Sequence, residues 1–305
     1  MDYKINKEYD SKDVKHYMQK ELRLSGKTIT KLKSRTNGIM LNGTQVTVRA
    51  LLHDGDSLSL KTEQEDKTSD KIKPVPMMLD IIYEDDFYIA LNKGANMPTH
   101  PSHDHYDDTL ANGLAHLYRE RNLPFVFRAV NRLDRDTSGI VVFAKNATAA
   151  NEFSKLQQNK LIKKQYVAIV NGIVEGSGSI QGYIKRKENS VMLREFSKSD
   201  IGDGAMFSHT DYQSLATTGD CSLLALLLHT GRTHQIRVHT SYLGHPIIGD
   251  GLYGTEDGYT RHMLHAFKMI FTHPFTKKQI LLRADIPYDM RSVMIEKGID
   301  YDFSK

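Results

Sequence analysis

Residues 128–146 read RAVNRLDRDTSGIVVFAKN. Ala129 and Val130 lead into a dense polar centre, and Ile140, Val141, Val142 and Phe143 lead out of it. A β-branched run after a turn marked by Gly139 predicts strand, loop, strand. Between the apolar flanks stand Arg132, Asp134, Arg135, Asp136, Thr137 and Ser138. The loop presents Asp134 between two guanidinium groups, and a neighbouring cation favours the ionised carboxylate. That suits a nucleophile or an electrostatic stabiliser better than a general acid. Taken alone, the pattern also fits a solvated turn with surface ion pairs, which are common and worth little. Its meaning depends on what the rest of the chain supplies.

The chain has 305 residues, enough for a sizeable core and two domains. With 39% hydrophobic and 26% charged residues, its composition fits a soluble globular protein. Its single cysteine, Cys221, excludes an intrachain disulfide and points to a reducing, cytoplasmic setting. The longest aliphatic run, 223–228, is far too short to cross a bilayer, and the first residues lack the apolar core of a signal peptide. The net charge of +4 is concentrated in the first quarter of the chain. Residues 12–35 hold Lys12, Lys15, Lys20, Arg23, Lys27, Lys31, Lys33 and Arg35 against Asp13 and Glu21. A basic segment on a nearly neutral body is either a polyanion-facing module or a solvated helix face.

Within that segment, Val14, Tyr17, Met18 and Leu22 have amphipathic helix spacing, with Ser11 as the expected N-cap. A second basic helix is expected over 27–35. Short strands then alternate with turns at Asn42-Gly43 and Asp54-Gly55. Residues 62–76 are polar and end in Pro74 and Pro76, which predicts a linker between a module at 1–61 and a body at 77–305. In the body, strands are expected at 79–83, 87–91, 163–172, 212–215, 222–228 and 279–285, and helices at 108–121, 147–159 and 287–298. Thr233 is placed to cap a further helix running to Leu243. His100, His103, Asp104 and His105 share one loop, but Ser102 stands where a dinuclear HxHxDH pattern needs a histidine, so no metal centre is expected there.

The segment from Asn131 to Gly139 resembles the (H/N)RLDxxTSG signature of RluA-type RNA pseudouridine synthases. Four further stretches resemble motifs of that family. Asn92-Lys93-Gly94 and the loop to Ser102 are similar to NKPxGmpthPs, with Gly94 in place of the usual proline. Lys164, Tyr166, Ala168, Val170 and Gly172 match KxYxAxVxG. The run TGRTHQIRVHTSYLGHPIIGDGLYG, from Thr230, matches TGRxHQIRxHxxxxGHPIxGDxxY, and the stretch from Leu264 to Thr276 matches LHAxxxxFxHPxT. The N-terminal module is similar to an S4-like RNA-binding domain.

The resemblance implies an α+β fold: a mixed, largely antiparallel sheet with flanking helices, behind a small S4-like α/β module. It implies an isomerase that breaks the N–C1′ bond of a uridine, turns the base and joins its C5 to C1′, without cofactor or metal. Asp134 is the expected catalytic carboxylate, Tyr166 the ring that packs on the target base, and Arg237 the partner of Asp134. Arg132 is expected to fill the space left by the flipped base. Lys27, Lys31, Lys33, Arg35, Arg232 and His234 are expected to contact RNA, ribosomal before transfer RNA. A monomer away from membranes is expected. Two other classes remain: a catalytically silent RNA-binding, ribosome-associated protein, and a metal-dependent hydrolase built on His100, His103 and His105.

Overall fold

The sequence CSLLALLL is apolar at nearly every position, as a strand buried on both faces must be. It forms an inner strand of the larger of two units in a computed structural model that describes residues 2–22, 24, 26–61, 69, 71–102, 104–255 and 257–303. The chain divides between Lys67 and Thr68. The expectations for Arg23, His103, the side chain of Lys27 and residues 62–68 and 70 lie outside the described residues.

In the first unit, β1 (Asp2–Lys4), β2 (Ile39–Leu41), β3 (Thr44–Gln45) and β4 (Ser57–Leu60) form an antiparallel sheet in the order β1-β4-β2-β3. Asn42 and Gly43, both at positive φ, make the two-residue turn from β2 to β3. Two helices, α1 (Val14–Lys20) and α2 (Gly26–Lys33), supply Val14, Tyr17, Met18, Ile29 and Leu32 to a core shared with Ile39, Leu58 and Leu60. The N-cap of α1 is Asp13, whose carboxylate accepts the His16 N–H at 2.6 Å, and not Ser11, which has a positive φ of 59°.

The second unit is the α+β body. Among the described residues its sheet runs β10 (Arg194–Ser197), β9 (Ser177–Arg186), β11 (Met206–Thr217), β12 (Cys221–Leu228), β8 (Lys163–Asn171), β13 (Leu264–Thr272), β7 (Ser138–Ala144), β6 (Tyr88–Lys93), β5 (Ile81–Glu84), with β14 (Gln279–Arg283) paired to β13. Every pairing is antiparallel except β13 with β7. The period-2 alternation of β6 and β7 feeds two cores. Ile89, Leu91, Val141 and Phe143 meet Leu110, Leu114 and Tyr118 of α3 (Leu110–Glu120) on one face. Tyr88, Ala90, Ile140 and Val142 meet Phe153 of α4 (Ala147–Gln158) on the other. A helix α5 (Gln235–Tyr242) follows β12, and a terminal helix α6 (Tyr288–Glu296) adds Met290, Val293 and Met294 to the first of these cores.

The end of the expected linker belongs to this body. The Ser69 N–H donates to the Phe125 carbonyl at 2.7 Å, the Val75 N–H to that of Asn112 at 3.2 Å, and the Asn112 side chain to that of Lys73 at 2.8 Å. Polar composition hides this ordering, because backbone and polar side-chain groups, not apolar ones, make the contacts.

Candidate active site

The loop that carries Asp134 is clamped from three directions. Asn131 reaches across to β7, donating from Nδ2 to the Ile140 carbonyl at 3.0 Å and accepting the Val142 N–H at 2.8 Å. From below, the buried Lys93 ammonium donates to the carbonyls of Gly94, Met97 and Arg135 at 2.7, 2.8 and 2.9 Å. Burial pushes its pKa down to about 7, against the pull of Asp136. At the exit, Thr137 hydrogen-bonds His262 at 2.7 Å and Ser138 hydrogen-bonds His265 at 2.9 Å. Gly139, at φ +112°, lies against the Ala266 backbone, where a Cβ would sit 2.3 Å from the carbonyl oxygen. That close approach is what lets β7 and β13 pair at Ser138–His265 and Gly139–Ala266.

Asp134 has different partners from those its neighbours in sequence suggest. Arg135 pairs with Asp136 at 3.0 Å, and Arg132 is exposed with no ion-pair partner among the described residues. The nitrogen groups facing Asp134 come from the start of α5. Arg237 Nη1 and His234 Nε2 each lie 3.7 Å from Asp134 Oδ2. Arg237 spends its other nitrogens on Asp250, in a buried pair with Nε and Nη2 each 2.7 Å from a carboxylate oxygen. Its guanidinium also lies 5.1 Å from the centre of the Tyr253 ring. Burial alone would lower the pKa of Arg237, but Asp250, and then Asp134, more than offset it. The expected Arg237–Asp134 contact is therefore the longer of two, and Asp250 is the group that fixes the guanidinium. Asp250 accepts the N–H groups of Leu252 and Tyr253 as well, so its own direction is set by backbone.

His234, not Thr233, precedes the first turn of α5, in the left-handed region at φ 57°. For a non-glycine residue this costs free energy and is held by surrounding contacts. Tyr253 OH bonds His234 Nδ1 at 2.9 Å, and burial keeps the imidazole below its ordinary pKa. Gln235 fastens the same turn to β11. Its Oε1 accepts from Thr230 Oγ1 and the Arg232 N–H, while its Nε2 donates to the His209 carbonyl and Thr210 Oγ1. Arg232 is half-buried beside it and donates from Nε to the Phe207 carbonyl at 2.9 Å.

These side chains line one open cleft of about 1120 Å³, walled also by Tyr166. That exceeds the roughly 300–1,000 Å³ typical of small-ligand pockets. Tyr166 is buried on β8, and burial, then the Asp134 charge, push its hydroxyl above the ordinary tyrosine pKa, so it is a neutral phenol. Among the described residues lining the cleft, Asp134 is the one carboxylate, against Arg132, Lys160, Lys163, Lys164, Arg232 and Arg237. Lys31 and Lys33 are exposed at the end of α2, and Arg35 donates to the Lys61 carbonyl at 3.0 Å, all within the first unit. Asp250, Lys93 and Gln235 are the site's supports that the sequence reading leaves out. All three stand inside quoted motifs.

A single carboxylate in a basic, nucleotide-sized cleft on a mixed sheet defines an enzyme that does its chemistry on a polyanion. Residues 87–242 match the family described as RNA pseudouridylate synthase. The chain is 36% identical over 276 residues to an uncharacterized RNA pseudouridine synthase, YjbO, of Bacillus subtilis, covering 90% of this chain and 95% of the relative. It is 38% identical over 225 residues to ribosomal large subunit pseudouridine synthase D of Borreliella burgdorferi, covering 70% and 67%. Among solved structures, human RNA pseudouridylate synthase domain containing 1 aligns at a TM-score of 0.59 and 28% identity, over 69% of this chain and 84% of that one. The chain belongs to the RNA pseudouridine synthase family, whose members isomerise uridine in RNA. Among the described residues, no helix is long and apolar enough to cross a membrane.

Proposed function

We propose that the protein converts specific uridines of structured RNA to pseudouridine with Asp134 as the reacting carboxylate, and that its substrate is ribosomal RNA before transfer RNA. The observation that carries the reading is the lone carboxylate of a basic cleft, held on a clamped loop and facing a fixed guanidinium. The reaction exchanges one glycosidic bond for another. The bond from N1 to C1′ breaks, C5 joins C1′, C5 gives up its proton and N1 ends with one. Nothing is oxidised or reduced. Asp134 supports the sugar or base through the exchange, Arg237 orients it, and Tyr166 packs on the extruded uracil. Arg132, exposed at the cleft mouth and without an ion-pair partner among the described residues, enters the space the base leaves. Flipping costs a few kcal/mol, about what such contacts return.

Arg232 binds backbone phosphate at the other wall, and His234 faces the bound nucleotide from beside Asp134. In the first unit, Lys27, Lys31, Lys33 and Arg35 act as an S4-like phosphate-binding module, which adds affinity without reading sequence. A relative's name, ribosomal large subunit pseudouridine synthase D, favours ribosomal RNA. The buried thiol of Cys221 fits action in the cytoplasm, and the protein acts there as a monomer. Asp134→Asn, assayed by mapping pseudouridine in total RNA incubated with the variant, abolishes conversion while RNA affinity stays near wild type. Conversion at the wild-type rate would remove Asp134 from the chemistry.

A further inference from the structure

The strands β11 and β12 carry a second group of reactive side chains that the isomerisation does not use. Period-2 alternation puts His209 and Asp211 on one face of β11. His229 follows the end of β12, and its N–H donates to the His209 carbonyl at 3.2 Å, which sets the two histidines directly across from each other. Asp211 then stands between them. Its Oδ1 is 3.0 Å from His209 Nε2 and its Oδ2 is 2.6 Å from His229 Nε2. The imidazole rings are stacked, with centres 4.0 Å apart and planes 19° from parallel. On the neighbouring strand β9, Gln181 and Ser179 face His209 and Asp211 in register, and Ser179 Oγ is 3.0 Å from His209 Nε2. All three groups are partly exposed, and His229 is also part of the cleft wall.

We propose that His209, Asp211 and His229 form a site for one divalent transition-metal cation of the Zn²⁺ class at the edge of the cleft. One ligand atom from each residue lies within 4.8 Å of the other two. A tetrahedral cation with bonds of about 2.0–2.2 Å draws its ligands to roughly 3.3–3.6 Å from one another. The carboxylate contacts are already shorter than this, so uptake opens them slightly and tilts the two rings until their lone pairs converge. Two imidazoles and one carboxylate suit Zn²⁺, Co²⁺ or Ni²⁺ and not the all-oxygen preference of Mg²⁺ or Ca²⁺. Three protein ligands leave a position open, and the ion adds positive charge to a wall that already holds Arg232. Without metal, Asp211 accepts an Nε2–H from each ring. With metal, each ring binds through Nε2 and carries its proton on Nδ1. The ion has no part in the bond exchange at Asp134.

The test uses the full chain without RNA, so its outcome is independent of the isomerase reading. Equilibrium dialysis against ZnCl₂, followed by metal analysis, gives one Zn²⁺ per chain, whereas MgCl₂ gives none. Loss of a partner outside the ligand shell alone costs about 10–100-fold in metal affinity, so Asp211→Asn and His209→Ala each weaken uptake by at least that. A second measurement needs no variant. Long-range ¹H–¹⁵N spectra of the wild-type imidazoles show Zn²⁺ moving the protons of His209 and His229 from Nε2 to Nδ1 and leaving His239 and His262 unchanged. Failure of the wild type to retain Zn²⁺, uptake by both variants equal to that of the wild type, or a response confined to other histidines such as His105 overturns the proposal.

Discussion

Replacing Asp250 by alanine should damage both stability and turnover, and the two effects can be separated. Asp250 and Arg237 are buried together, with side-chain exposures of 0% and 6%, and are joined by two bonds of 2.7 Å. Removing one partner of such a pair strands a charge in low dielectric, at a cost of about 3–5 kcal/mol. For a unit of this size each kcal/mol lowers the melting temperature by about 2–4 °C, so the variant should melt about 6–20 °C below wild type. The freed guanidinium also loses the constraint that holds Nη1 3.7 Å from Asp134. Turnover should fall further than RNA affinity, because the phosphate-binding side chains are untouched. A compensating double variant, Asp250→Ala with Arg237→Met, removes the stranded charge and should recover most of the lost melting temperature. It should recover none of the turnover. Calorimetry and single-turnover pseudouridine formation measure the two quantities on the same samples. An Asp250→Ala protein that melts within about 2 °C of wild type and turns over normally would refute the positioning role of Asp250. So would a double variant that regains activity.

Lys93→Met keeps the volume of a buried side chain but leaves the carbonyls of Gly94 and Met97 without their donor, and that of Arg135 with the Met97 N–H alone. Each orphaned carbonyl costs about 1–3 kcal/mol, so the variant should melt lower and turn over more slowly; unchanged thermal melting would show that the clamp is dispensable. Gly139→Ala forces a Cβ to 2.3 Å from the Ala266 oxygen at a φ of +112°, and should cost about 3 kcal/mol or more in chemical denaturation, with wild-type stability as the refuting result. Burial pushes His239, His262 and His265 down to about 4, below an unfolded value of about 6.5. The unfolded chain therefore binds more protons between those values, and the stability these histidines contribute, complete above about pH 6.5, is lost as pH falls toward 4, by up to about 1.4 kcal/mol per pH unit for each. A melting temperature that stays level from pH 7 to pH 5 would contradict their burial as neutral rings.

The RLD loop was legible because its signals are local: an apolar lead-in, a polar centre, a glycine and a β-branched run within nineteen residues, 128–146. The strands at 87–91 and 140–143 were legible for the same reason, but not the two cores they feed, since a continuously apolar run does not show which helix each face meets. What the sequence could not order were contacts whose separation follows no period. Lys93 reaches Arg135 across 42 positions, and Thr137 meets His262 across 125. Local reading misassigned the partners of Asp134 because adjacency in sequence suggested Arg132 and Arg135, whereas a tight loop turns neighbouring side chains apart. It also placed the start of α5 at Thr233, because a capping residue is a local signal, and the left-handed His234 is held by Tyr253 from nineteen residues away. These failures share a physical basis. Asp134 lies in a loop that cannot fix its own geometry, so its supports come from β6, β7, α5 and the segment around Asp250. The most informative positions outside the motif's reactive residue are then the buried polar ones, Lys93, Gln235 and Asp250, because an apolar core has no use for them. Each satisfies several backbone or side-chain partners at once, and each of those partners leads back to the loop of Asp134 or the turn of Arg237.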